Sequence, residues 1–168
     1  MLLTLSGVAF AAGFFDSIAG GGGLITLPAL MMAGVGPLNA IATNKVQAAA
    51  ATVSATVAYT RRGMVDWREG WRIAVTSFFG GIAGATMISL VSGVWLSALV
   101  PILLLVVAGY FFFAPSMSDE LRQKRASLKV FALTMAPALG AYDGFFGPGV
   151  GSFFLIGFVL VCGLELMK

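Results

Sequence analysis

Gly13-Phe14-Phe15-Asp16-Ser17-Ile18-Ala19-Gly20-Gly21-Gly22 returns 127 positions later as Gly140-Ala141-Tyr142-Asp143-Gly144-Phe145-Phe146-Gly147-Pro148-Gly149. At that one offset an aspartate, three glycines and an aromatic coincide. Both copies set an acid and a helix-breaking glycine cluster inside apolar sequence, where each is costly. Paired interruptions at corresponding positions of two halves point to two related repeats whose broken helices enclose a central binding site.

The sequence around the motif is that of a membrane protein. Hydrophobic residues make up 59% and charged residues 10% of the 168-residue chain, where a soluble domain carries roughly a quarter charged. Between Arg72 and Asp119 there is no charge at all, room for two spans of about 20 residues with a turn at Ser92-Gly93. Five apolar segments emerge, over 2–34, 41–59, 71–91, 94–113 and 128–162, the first split at Gly20–Gly23 and the last at Gly147–Gly151. The reading is an all-α polytopic membrane protein: a first repeat over 1–113, a loop over 114–127, and the start of an incomplete second repeat over 128–168. Matching the repeats in length predicts a protein extending past Lys168.

The first segment is longer than a 30 Å hydrocarbon core requires. As a single broken span it gives parallel repeats; as a re-entrant hairpin it gives inverted ones. The sequence leaves both open.

Eight of the ten basic residues lie in two loops, 61–72 and 119–129, each with two acids. Neither offers the aromatic or groove-reading surface of a nucleic-acid binder, and the positive-inside rule places both in the cytoplasm. Histidine is absent and Cys162 is the one cysteine. This removes intrachain disulfides, the usual zinc ligand sets and imidazole base chemistry. No metal and no cofactor is expected. The N-terminus has no basic residue ahead of its apolar run, unlike a cleaved signal peptide.

With the loops set aside, the remaining charges are Asp16, Lys45, Asp143, Glu165 and Lys168. Lys45 falls about a turn inside its span, where its ammonium can meet an anion with the amide of Asn44 beside it; snorkelling to the interface is the alternative. Gly20, Gly21, Gly22 and Gly23, and Gly147, Gly149 and Gly151, open half-helices. The backbone amides of Gly21–Leu24 and of Gly149–Ser152 are expected to be free to hold an anion; a close helix crossing is the alternative. Asp16 and Asp143 are candidates to pair with lysine, to cap the broken helices, or to carry a coupling proton.

The run Asp16-Ser17-Ile18-Ala19-Gly20-Gly21-Gly22-Gly23-Leu24-Ile25-Thr26-Leu27-Pro28, then Ala42-Thr43-Asn44-Lys45 and Tyr142-Asp143-Gly144-Phe145-Phe146-Gly147-Pro148-Gly149-Val150-Gly151-Ser152-Phe153, resembles the TauE/SafE sulfite-exporter family. The resemblance implies about eight membrane segments in two repeats and transport of small sulfur-containing anions. It departs from the family pattern by stopping before the second repeat's lysine-containing segment. The expected function is therefore a secondary transporter of sulfur oxyanions or organosulfonates working by alternating access, not an enzyme. An anion channel, an intramembrane aspartate-dyad enzyme and an assembly protein are the rivals. Expected partners are the small anion and the lipid bilayer, with self-association into a homo-oligomer left open.

Overall fold

The computed structural model describes residues 2–113 and 127–163. Residues 114–126, with Arg122, Lys124 and Arg125, and residues 164–168, with Glu165, lie outside the described residues.

Among the described residues there are eight helices and no strand: α1 (Leu2–Ala19), α2 (Gly23–Met32), α3 (Pro37–Arg61), α4 (Trp67–Ser89), α5 (Gly93–Phe113), α6 (Leu128–Leu133), α7 (Met135–Phe145) and α8 (Val150–Cys162). Local chemistry sets their limits. Extended Gly36 leads into Pro37 at the first turn of α3, where proline's missing N–H costs nothing. Asp66 caps α4 by accepting the Arg68 amide at 2.9 Å, a favoured N-cap arrangement. Proline at 137 cannot donate to the carbonyl of Leu133, and the helix breaks between the two at Thr134, separating α6 from α7. Gly163, left-handed at φ 63°, closes α8.

Two helical stretches, Gly70–Ser89 and Gly93–Phe113, are long and apolar enough to cross a bilayer. α5 buries Leu96, Val100 and Val107 and leaves Ile102, Leu105, Val106, Phe112 and Phe113 exposed. Such an apolar outer face suits lipid, which is as apolar as the side chains themselves. Tyr59, Trp67, Trp71, Trp95 and Tyr110 stay exposed near helix ends, where an interfacial aromatic belt belongs.

The open question about the first segment is settled by Gly22. A β-carbon on Gly22 would press on the Ala12 carbonyl and lie 2.8 Å from the Asp16 β-carbon. A helix continuing straight would put residue 22 about 15 Å beyond residue 12. The chain instead turns back on α1 at Gly20–Gly22. The last segment does the same: Phe153 packs on Tyr142 and Phe158 on Phe131, with ring centroids 5.4 and 4.7 Å apart. That order is antiparallel, so α8 folds back along α7 and α6. Both glycine clusters are the tips of helical hairpins.

α4 and α7 make the closest helix pair in the fold. β-carbons on Gly80 and Gly84 would run into the backbone at Pro137 and Ala141, and those on Gly140 and Gly144 into Ser77 and Gly81. The Ser77 hydroxyl donates to the Ala136 carbonyl at 3.2 Å across the same seam. Small residues four apart on both helices allow this approach. Two apolar clusters flank it: Leu27, Ile41, Ile88, Leu96, Val100, Val107 and Phe146 on one side, Phe131, Ala136 and Cys162 on the other.

Candidate functional site at the hairpin tips

The two tips meet. A β-carbon on Gly20 would collide with the Gly151 Cα, and one on Gly151 would lie 2.5 Å from the Gly20 Cα. Gly20 is also left-handed, at φ 69°. Gly21, by contrast, has a negative φ and nothing within 4 Å of its β-carbon position. The four consecutive glycines are therefore unequal. Gly20→Ala is expected to cost about 3 kcal/mol from backbone strain and collision together. Gly21→Ala is expected to stay within about 0.5 kcal/mol. Thermal unfolding of the two variants in detergent checks this, and equal losses would mean that the tips do not touch.

Around the meeting point lies a cavity of about 530 Å³ lined by Asp16, Gly20, Gly23, Asn44, Lys45, Ala48, Ala49, Thr52, Asp143, Gly147, Gly149, Val150 and Gly151. Nine of the sequence-derived candidates share it. Gly21 does not line it, and Gly22 lines a smaller neighbouring pocket with Thr26, Asn44 and Gln47.

Lys45 reaches across to the second tip. Its Nζ donates to the Asp143 carboxylate, 2.7 Å from Oδ1, and also to the Asp143 main-chain carbonyl. That carbonyl belongs to the last turn of α7, where unpaired carbonyls carry the negative end of the helix dipole. Lys45 thus both neutralises an acid set in apolar sequence and caps a helix. Gly147, at φ 100°, leaves room for it: a β-carbon there would overlap the ammonium.

The two aspartates play different parts. Asp16 accepts the Gly22 amide at 2.9 Å through Oδ1, capping its own hairpin tip. Asp143 is held by Lys45, the one ion pair among the described residues. Pairing and capping, alternatives in the sequence, are divided between the two copies of the motif.

The expectation of a continuous bank of free amides needs correction. The Gly22 amide is taken by Asp16, that of Leu24 by the Gly21 carbonyl, and that of Val150 by the Gly147 carbonyl. Tight turns bond internally, so the tips keep some of these donors for themselves. Gly23 and Gly151 line the cavity with amides that have no acceptor among the described residues.

Sequence reasoning passed over Tyr142 and Gln47. The Tyr142 hydroxyl donates to the Pro148 carbonyl at 2.6 Å and ties α7 to its tip. The Gln47 amide donates to the Ala9 carbonyl at 2.8 Å and ties α3 to α1. Gln47 follows Asn44 by three positions and so shares its helix face, a signal that was available. Tyr142 reads in the sequence only as one of the motif's aromatics.

The profile of the family described as "Sulfite exporter TauE/SafE" matches residues 5–168. A relative from Sinorhizobium sp., named probable membrane transporter protein ORF9, is 46% identical over 168 residues, covering all of this chain and 64% of its own length. The probable membrane transporter protein YfcA of Escherichia coli K12 is 45% identical over 161 residues, 96% of this chain and 60% of the relative. A probable membrane transporter protein of Haemophilus influenzae is 42% identical over 168 residues, 66% of its length. The chain thus spans under two thirds of the first two relatives. No solved structure matches it significantly.

Proposed function

The chain belongs to the sulfite exporter TauE/SafE family, and from that premise we propose that it forms part of a secondary carrier for small anions, sulfur oxyanions or organosulfonates. The observation that carries the reading is the convergence of Lys45 and both glycine tips on one cavity. With the basic loops 61–72 and 119–129 in the cytoplasm of a bacterial inner membrane, the first hairpin enters from outside and the second from inside. The two repeats are then inverted, and their tips meet within the membrane. This is the layout in which rocking one repeat against the other alternates access to a fixed site.

In this reading the anion is bound by the Lys45 ammonium, the Asn44 amide and the backbone at Gly20–Gly23 and at Gly147, Gly149 and Gly151. Asp143 competes with it, because its carboxylate already holds Lys45 at 2.7 Å. Protonating Asp143 releases the lysine, so one proton and one anion enter together. Asp16, whose Oδ1 holds the Gly22 amide, is the weaker proton carrier. A channel would also accept this cavity, and counterflow separates the two.

The test is sulfite counterflow in proteoliposomes in which the chain is extended to the length of its relatives. Saturable, accelerated exchange is the expected result. A linear flux without counterflow would establish a channel, and no flux from folded protein would remove sulfite from the substrate range.

A further inference from the structure

The outer face of α4 carries a pattern that its packing on α7 leaves unused. At about 100° per residue, Ser77, Gly80 and Gly84 lie on the side turned to α7. On the opposite side Trp67, Trp71, Val75, Phe78 and Ile82 form an exposed apolar stripe. Arg68, Arg72 and Phe79 run beside that stripe and are exposed as well. The order along this face matches that of a lipid molecule, with cations and tryptophans first and apolar side chains after them. Ten residues separate Arg72 from Ile82. That is about 15 Å of helix, the depth of half a hydrocarbon core of about 30 Å.

Charge makes this face selective. The stretch 61–72 sets Arg61, Arg62, Arg68 and Arg72 against two acids, Asp66 and Glu69. Asp66 is engaged in capping α4, its Oδ1 accepting the Arg68 amide. None of the four arginines is in an ion pair among the described residues. Arg68 and Arg72 are one turn apart, with Cβ atoms about 6 Å from each other, so both guanidinium forks can meet one phosphodiester. Trp67 and Trp71 repeat that spacing beside them, and tryptophan suits the level where headgroup gives way to acyl chain. The positive end of the α4 dipole lies at the same level. A zwitterionic headgroup brings its own cation into this field, and an anionic headgroup does not.

We propose that the first two turns of α4 form a binding site for an anionic phospholipid. Arg68 and Arg72 hold the headgroup phosphate, Trp67 and Trp71 flank the glycerol, and an acyl chain lies along Phe78 and Phe79. The positive-inside rule counts the charges of a loop and requires no such geometry. A site does, so its arginines are not interchangeable with other basic residues of the chain. The inference needs a bilayer around the protein but no substrate, and it stands or falls apart from the carrier reading.

The experiment records tryptophan fluorescence of the protein in bilayers of phosphatidylcholine with brominated acyl chains, which quench tryptophan on contact. Trp67, Trp71 and Trp95 are the three tryptophans of the chain, so a Trp95→Phe background leaves the first two as reporters. Unbrominated phosphatidylglycerol mixed into the bilayer is expected to relieve the quenching with about fivefold preference over phosphatidylcholine. The double change Arg68→Gln, Arg72→Gln is expected to bring that ratio to about one. Lys129→Gln removes an exposed cation near the start of α6 and is expected to leave the ratio unchanged. Quenching in phosphatidylcholine alone, retained by each variant, shows that it is still inserted. Free glycerol phosphate in the buffer is expected not to compete. A ratio near one in the parent, a preference that survives loss of both arginines, or an equal fall in Lys129→Gln would overturn the proposal. Competition by free glycerol phosphate would overturn it too, by assigning the arginines to a soluble phosphate ester.

Discussion

In the proposed carrier, Lys45→Gln is expected to raise the KM for sulfite by about 10- to 100-fold while the protein is still made and inserted. The removed ammonium is the one cation lining the tip cavity among the described residues. A charge-assisted hydrogen bond is worth about 1.5–3 kcal/mol, or one to two decades of affinity. Glutamine reaches one bond less far but keeps an amide donor for the Asp143 carbonyl, so the α7 cap is partly retained. The companion change separates binding from coupling. Asp143→Asn keeps the shape of the site but frees Lys45, so anion affinity should rise and the dependence of transport on external pH should flatten. The groups facing Asp143 are Lys45 from α3 and the neighbouring Tyr142, with Asp16 across the cavity. Uptake kinetics measured across about pH 5 to 8 check both variants. Unchanged KM in Lys45→Gln would remove the lysine from the site. An unaltered pH profile in Asp143→Asn would remove the coupling role.

Gly84→Leu and Gly140→Leu are expected to leave no folded protein. Each glycine faces the partner helix's backbone, where a β-carbon would overlap a carbonyl group. Backbone cannot yield as a flexible side chain can, so the two helices would have to separate along their whole seam. Overpacking alone costs about 1–3 kcal/mol. Parting the closest pair in the fold removes much of the van der Waals contact that holds membrane helices together. Gly109→Leu is the control: it is on α5 and has nothing within 4 Å, and it should melt as the parent does. The yield of monodisperse protein and its melting temperature are the readouts. A folded Gly84→Leu protein would mean that α4 and α7 are not in backbone contact.

Much of the site was legible because membrane chemistry makes exceptions conspicuous. An acid, a lysine or a glycine cluster in apolar sequence carries a cost that ordinary residues do not, so Asp16, Lys45, Asp143 and both tips stood out. Partnership was harder to see. Lys45 and Asp143 are 98 positions apart, and no periodicity links them. The free amides were over-counted because a sequence does not say which donors a tight turn will keep for itself. Gly80 and Gly84 form a small-xxx-small pair in the sequence, but which helix they would meet was not written in α4.

The sequence by itself determined the solvent, the helical character and the two glycine breaks, but not the break at Thr134. Hydropathy follows from composition, and glycine, proline and capping residues act on the backbone within a turn or two of themselves. Only the tertiary structure decided that both breaks are U-turns, that their tips touch at Gly20 and Gly151, and that Asp143 has Lys45 while Asp16 has Gly22. These outcomes depend on how whole helices stack, and stacking is set by contacts between residues far apart in the chain. The two copies of one motif therefore end in different surroundings. α7 meets the α4 backbone at Gly140, while a β-carbon at the corresponding Gly13 of α1 would meet nothing within 4 Å among the described residues.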